Sequence, residues 1–145
     1  GVDGLIVVDL SFPDNKNFAK LCKKNSICFV QLIAPTTTVK RMREIIKNSH
    51  EMIYMISTIS TTGSALKYSI KKIINNYNII KRIKPSKNVV IGFGITDKTI
   101  SNLRSADGLV VGSAICREIT RSLKHRQNPV TNVSKLVRKL KNKII

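Results

Sequence analysis

Aromatic side chains are scarce in this sequence: they make up 5% of its 145 residues, and tryptophan is missing altogether. A single-stranded nucleic-acid surface works largely by base stacking, so the scarcity argues against one. Acidic residues are also few, eight Asp and Glu against 26 Lys and Arg, leaving a net charge of +18. A basic balance marks a nucleic-acid footprint when the cations cluster on a recognition motif. Here the lysines are dispersed among Ile and Asn, as in Lys71-Lys72-Ile73-Ile74-Asn75-Asn76. That bias is what an AT-rich genome imposes on any protein, and it accounts for the charge without a polyanionic partner. The three cysteines, Cys22, Cys28 and Cys116, form neither a CxxC pair nor a metal spacing. An odd count without a secretory signal predicts buried thiols in a reducing, cytoplasmic setting. His50 and His125 lack ligand-type neighbours in sequence, so they read as surface or core histidines and no metal is expected. The apolar runs, Leu5 to Val8 and Asn88 to Ile91 among them, are strand-sized, far short of the roughly 20 residues a membrane span needs. The chain opens on Gly1-Val2-Asp3 and not on a basic segment, so no signal peptide is expected.

What is present is an alternation of strand and helix. Leu5-Ile6-Val7-Val8-Asp9 is a continuous apolar run closed by a polar residue, the pattern of a fully buried parallel strand. Pro13-Asp14-Asn15 opens a helix that groups Phe18, Leu21 and Cys22 on one face. A second strand runs from Ile27 to Ile33 and is closed by Ala34-Pro35-Thr36-Thr37. Thr37 or Thr38 caps the next helix, whose apolar stripe is Val39, Met42 and Ile46. Met52 to Ile56 is the third strand, followed by a polar loop from Ser57 to Ser64 and a helix that ends near Ile83, because Pro85 blocks continuation. Asn88 to Ile91 is the fourth strand and leads into Gly92-Phe93-Gly94. A short helix over Asp97 to Leu103, with Thr96 as its cap, precedes the fifth strand, Gly108 to Val111. Ala114 to Leu123 then forms a helix with Ile115, Ile119 and Leu123 spaced by four. A final helix carries Val133, Leu136, Val137, Leu140 and Ile144 on one face.

Five strands each followed by a helix predict a parallel α/β architecture. No linker or fixed-length repeat divides it, so one domain is expected over residues 1–145. Two solutions compete, a doubly wound sheet and part of a (β/α)8 barrel. A whole barrel takes about 250 residues, and five units in 145 residues is near five-eighths of one.

In either solution ligands bind at the carboxyl ends of the strands. Three glycine-bearing turns fall there: Thr62-Gly63, Gly92-Phe93-Gly94 and Gly112-Ser113. Glycine lets backbone N–H groups approach a phosphate closely, and a helix that starts just beyond adds a favourable dipole. A single glycine after a strand is more often a tight turn. Three on the last three strands favour phosphate binding.

At this point a resemblance becomes specific. Gly1-Val2-Asp3-Gly4-Leu5-Ile6-Val7-Val8-Asp9-Leu10 resembles the fourth barrel strand of tryptophan synthase α subunits. Ile33-Ala34-Pro35-Thr36-Thr37 is similar to the turn after strand five. Tyr54-Met55-Ile56-Ser57 followed by Thr62-Gly63 is similar to strand six and its active-site loop. Val90-Ile91-Gly92-Phe93-Gly94-Ile95 and Ala106-Asp107-Gly108-Leu109-Val110-Val111-Gly112-Ser113-Ala114-Ile115 resemble strands seven and eight. The resemblance covers nearly the whole chain and implies a partial (β/α)8 TIM barrel, strands four to eight. It implies a carbon–oxygen lyase that cleaves indole-3-glycerol phosphate to indole and glyceraldehyde 3-phosphate in L-tryptophan biosynthesis. On the same basis Gly63, Gly92, Phe93, Gly94, Gly112 and Ser113 would hold the phosphate and Tyr54 would line the pocket. Thr62 would belong to a loop that closes over the substrate. The implied partner is the tryptophan synthase β subunit in an α2β2 heterotetramer, with pyridoxal phosphate on the β subunit and no cofactor on this chain.

The family's acid and base are carboxylates on the second strand and its loop, and no residue of this chain matches them. Asp3 and Asp9 are the acidic residues near a site-facing strand end, and neither takes those positions, so the chain by itself is expected to be inactive. Two positions depart from the family pattern. Ser60 stands where the loop usually begins with glycine, which would strain a backbone of positive φ. Ser11 stands where proline usually follows Asp9-Leu10, in a segment that helps contact the β subunit. The alternatives are another phosphate-binding barrel of the phosphoribosyl isomerase kind, a basic nucleic-acid module, or a non-catalytic remnant that docks on the β subunit.

Overall fold

The structure, a computed structural model, describes residues 1–144 apart from 11, 51, 62, 63, 68, 93 and 96–98, and describes only the backbone of 58–61 and 64–67. In chain order the elements are β1 (Gly4–Leu5), α1 (Asp14–Lys24), β2 (Cys28–Phe29), β3 (Gln31–Ile33), α2 (Val39–Asn48), β4 (Met52–Ile56), β5 (Thr58–Thr61), β6 (Ser64–Lys67), α3 (Ile70–Ile83) and β7 (Asn88–Gly92). A 3-10 turn over Ile100–Leu103, then β8 (Gly108–Val110), α4 (Ser113–Lys124) and α5 (Pro129–Lys141), complete the chain.

Strand order decides between the two architectures. β1 pairs parallel with β2, and β3, β4, β7 and β8 form a parallel sheet in that order. β2 and β3 are two parts of one extended stretch interrupted at Val30, whose N–H still donates to the Leu5 carbonyl at 2.9 Å. Each parallel strand therefore lies beside the next one in sequence. A doubly wound sheet reverses its order at a switch point; this sheet never does, and its winding is that of a barrel wall.

Side-chain alternation sorts that wall into two faces. Cross-strand register lines up Ile33 with Met55, Met55 with Ile91, and Ile53 with Val89. These five side chains are at most 1% exposed and pack under α2 and α3 through Met42, Ile46, Ile73, Tyr77 and Ile80. Each fully buried aliphatic side chain contributes about 1.5–3 kcal/mol. The opposite face carries Leu32, Tyr54, Val90 and Gly108 in one row. A smaller cluster of Ala19, Cys22 and Phe29 seats α1, with Phe18 edge-on to Phe29 at 5.1 Å.

Local chemistry accounts for the helix boundaries. Thr38 caps α2 by accepting the Arg41 N–H at 3.3 Å, while Thr37 accepts the Ala34 N–H in the preceding turn. Ser69 caps α3 through the Lys72 N–H, and Asn128 caps α5 through the N–H groups of Val130 and Thr131. At the amino ends of the strands Asp107 acts as a latch. It accepts the Val89 N–H at 2.8 Å, Lys81 Nζ at 3.0 Å and the Tyr77 hydroxyl at 3.1 Å, joining β7 and the β8 approach to α3. Lys87 Nζ nearby donates to the carbonyls of Ser49 and His50.

Several expectations fail, each for a packing reason. The run from Leu5 to Asp9 pairs only at Gly4–Leu5, and Ile6 and Val8 are 48% and 72% exposed. No described strand pairs with the far edge of β1, so the run is an open edge and not a buried strand. In α1 the buried face is Asn15, Ala19 and Cys22, and Leu21 points to solvent, as does Val39 at the start of α2. The loop expected after Ser57 is an antiparallel hairpin, with Thr58 opposite Lys67 and Thr61 opposite Ser64; the β-branched run suits extended backbone. The helix expected over Asp97 to Leu103 is, in its described part, a single 3-10 turn. The stripe of α4 is turned outward, with Ile119 and Leu123 exposed. Ser122 is instead fully buried, accepting the Asn132 side-chain N–H at 3.0 Å from α5. Cys22 is buried as expected, Cys28 is intermediate, and Cys116 is exposed, against the expectation of buried thiols.

Candidate functional site

Parallel winding brings Gly92 and Gly112 to one end of the wall. Gly92 ends β7 and lies in register with Ile56 of β4 on one side and Val110 of β8 on the other. Gly92 and Gly112 therefore close adjacent strands. Gly94, two residues past β7, has φ 67, a left-handed backbone that L side chains rarely adopt and glycine takes freely.

Tyr54 of β4 reaches across to Gly92. A Cβ built on Gly92 would fall 1.8 Å from the Tyr54 hydroxyl and 2.3 Å from ring atom Cζ, so the phenol occupies the space a side chain would need. Tyr54 is buried, and burial raises its pKa above the ordinary tyrosine value. The hydroxyl stays protonated at neutral pH, and a phenol of this kind can both donate and accept a hydrogen bond. Ser57, the residue after β4, also meets Gly92, donating both its backbone N–H and its Oγ to the Gly92 carbonyl.

Gly112 caps α4, and nothing lies within 4 Å of a Cβ built on it. Gly112 has no side chain to cap the first turn of α4, and no described side chain caps it. The open approach, the exposed Ser113 hydroxyl and the positive end of a twelve-residue helix suit an anion. Thr62, Gly63 and Phe93 lie outside the described residues. Of the remaining candidates, Tyr54, Gly92, Gly94, Gly112 and Ser113 all fall at or beside the carboxyl ends of β4, β7 and β8.

Beside them, at the ends of β1 to β3, is a cavity of about 290 Å³ lined by Val7, Leu10, Gln31, Leu32, Thr37 and Ile56 among others. Leu32 and Ile56 are the register partners of Tyr54 and Gly92, so the cavity continues the site along the strand ends. In its wall the Asn15 side-chain N–H donates to Gln31 Oε1 at 3.2 Å. The acidic residues contribute little. The Asp3 carbonyl accepts the Cys28 N–H at the amino end of the strands, and Asp3 lines a pocket there with His50 and Lys87, so it does not face the site as expected. Asp9 is exposed beyond β1. Among the described residues no cluster of His, Cys, Asp or Glu fits a metal ion. Ser57 was visible in the Tyr-Met-Ile-Ser motif, but nothing in the sequence marked its contact with Gly92, which spans 35 residues. Asp107 was visible in the Ala-Asp-Gly motif, but its partners were not.

Consecutive parallel strands with helices on one face define a class, the (β/α)8 barrel, of which this chain is a part. The chain matches the family model described as tryptophan synthase alpha chain over residues 1–145 and belongs to that family. It is 62% identical to the tryptophan synthase alpha chain of Pelagibacter ubique over 144 residues, covering 99% of this chain and 54% of that protein. The Aquifex aeolicus protein of the same description is 36% identical, with 97% of this chain and 52% of that one covered. Among solved structures, the tryptophan synthase complex from Pyrococcus furiosus superimposes with a TM-score of 0.78 at 29% identity, covering 98% of this chain and 55% of that one. Tryptophan synthase subunit alpha from Legionella pneumophila gives a TM-score of 0.79 at 24% identity over 99% of this chain and 52% of that one, a likeness of fold. The chain thus spans about half the length of the curated relatives it matches.

Proposed function

We propose that residues 1–145 form the C-terminal part of a single barrel domain and supply the phosphate-binding half of a lyase site for indole-3-glycerol phosphate. The reaction is its cleavage to indole and glyceraldehyde 3-phosphate in L-tryptophan biosynthesis. The observation that carries the reading is the placement of Gly92 and Gly112 on adjacent strand ends, beside an open helix start at Ser113 whose N-cap is a glycine. In this arrangement backbone N–H groups and the Ser113 hydroxyl donate to phosphate oxygens, and the α4 dipole offsets the charge. Tyr54, held against Gly92, forms the side of the chamber between phosphate and aromatic ring. Thr62, Gly63 and Phe93 join the site by family resemblance.

Acid–base chemistry at the indole ring and the glycerol hydroxyl needs positioned proton donors and acceptors. The described strand ends β4, β7 and β8 supply no carboxylate, so the reading places that function on other residues of the family's full length. The partner in this reading is a tryptophan synthase β subunit in an α2β2 assembly, and the setting is cytoplasmic; no described helix is long and apolar enough to cross a membrane. Pyridoxal phosphate belongs to the β partner and no cofactor to this chain.

The test is indole release from indole-3-glycerol phosphate, by the chain alone and by the chain extended to the family's full length. Activity confined to the extended protein is expected. A folded extended protein that releases no indole and binds no glycerol 3-phosphate would overturn the reading.

A further inference from the structure

Ser57 is where two parts of the candidate site meet. It follows the last residue of β4 and precedes the first of β5, so the β5–β6 hairpin leaves the wall at this residue. Its backbone N–H donates to the Gly92 carbonyl at 2.9 Å, extending the β4–β7 ladder by one rung. Its Oγ donates to the same oxygen at 2.8 Å, a bond the ladder does not require. A carbonyl oxygen has two lone pairs, so Ser57 can satisfy both. The residue is 6% exposed, where a hydrogen bond is stronger than in water.

Gly92 is the last residue of β7, and two residues later the backbone is left-handed at Gly94, so the ladder bond from the Ser57 N–H is the last rung before the chain turns away. A carbonyl swung toward a bound phosphate would present the negative end of its dipole to an anion. The Ser57 pair holds that oxygen on a buried donor instead.

We propose that Ser57 is a positioning residue for phosphate binding: its hydroxyl locks the Gly92 carbonyl into the barrel wall and ties the base of the β5–β6 hairpin to the carboxyl end of β7. The inference rests on the phosphate-binding reading above and adds a residue that touches no ligand.

The test compares wild type, Ser57→Ala and Ser57→Cys in the chain extended to the family's full length. Glycerol 3-phosphate and indole serve as separate probes in calorimetric titrations. Loss of one net hydrogen bond predicts a glycerol 3-phosphate Kd raised about fivefold to tenfold in Ser57→Ala. Indole affinity is expected to stay within about twofold, and Ser57→Cys, with its weak thiol donor, falls between. Should Ser57→Ala fail to fold, Ser57→Cys keeps the side-chain volume and carries the comparison. Unchanged glycerol 3-phosphate affinity, or equal losses for both probes, would refute the positioning role. Wild type that binds no glycerol 3-phosphate would remove the phosphate-binding reading itself, and this proposal with it.

Discussion

Replacing Gly92 with alanine probes the tightest contact in the candidate site. The new methyl would fall 1.8 Å from the Tyr54 hydroxyl, 2.3 Å from Cζ and 2.9 Å from Cε1, whereas ordinary contact begins at 3.4 Å. The phenol tip must therefore retreat by about 1.6 Å, and by about 1.1 Å at Cζ. Tyr54 has little room to do so, being 9% exposed on the central strand of the wall. Overpacking a filled site costs about 1–3 kcal/mol, and the size of this overlap places Gly92→Ala near the upper end. For a chain of this length that corresponds to a melting temperature lowered by roughly 6–12 °C. Tyr54→Phe removes the hydroxyl but leaves the Cζ overlap, so it should rescue Gly92→Ala only partly. Tyr54→Ala removes the whole ring, and the double variant should be less destabilised than the sum of the singles by about 1–2 kcal/mol. Thermal unfolding followed by circular dichroism, run as a full double-mutant cycle, measures this coupling. A Gly92→Ala melting point within about 1 °C of wild type, or strict additivity with Tyr54→Ala, would show that the phenol does not sit over Gly92.

Further predictions concern the latch, a cap and the thiols. Burial alone would raise the Asp107 carboxyl, yet the Val89 N–H, Lys81 and Tyr77 hold it below the ordinary aspartate range. A carboxyl depressed in the folded state stabilises above its unfolded pKa, so this contribution should fade as pH falls below about 4 and be absent in Asp107→Asn, as denaturation across pH will show. Tyr77 behaves oppositely: burial first, then the charge and hydrogen bond of Asp107, push its pKa from 10.0 up to about 12. Its contribution is full below about pH 10 and is lost toward pH 12, and Asp107→Asn should shift one tyrosine downward in an absorbance titration at 295 nm. Asn128→Ala deprives α5 of a side chain that accepts two N–H groups, at 2.9 and 3.2 Å, and should cost about 1 kcal/mol in urea denaturation. Exposed Cys116 should react with a thiol reagent within minutes while Cys22, 4% exposed, reacts only on unfolding; equal rates would contradict the placement of α4 and α1.

The order of the parallel strands and of the longer helices was legible because strand and helix periods are local, while the β5–β6 hairpin was not. Met52–Ile56 was readable to the residue from a short apolar run, and α3 from its stop before Pro85. The carboxyl-end position of Gly92 and Gly112 followed from that order, since a glycine after a strand stays there in any parallel fold. Tertiary structure alone decided the rest. Periodicity shows that α4 and the run from Leu5 to Asp9 have apolar faces, but not whether another element covers them, and Ile6, Val8, Ile119 and Leu123 emerge exposed. The alternation by itself left a doubly wound sheet open beside the barrel; the resemblance implied the barrel, and the strand order bears it out. Tyr54 over Gly92, Ser57 on the Gly92 carbonyl and Asp107 between Lys81 and Val89 join residues 18 to 38 positions apart. Such contacts depend on the register between strands, and register is fixed only when a face of the wall is buried against packed side chains.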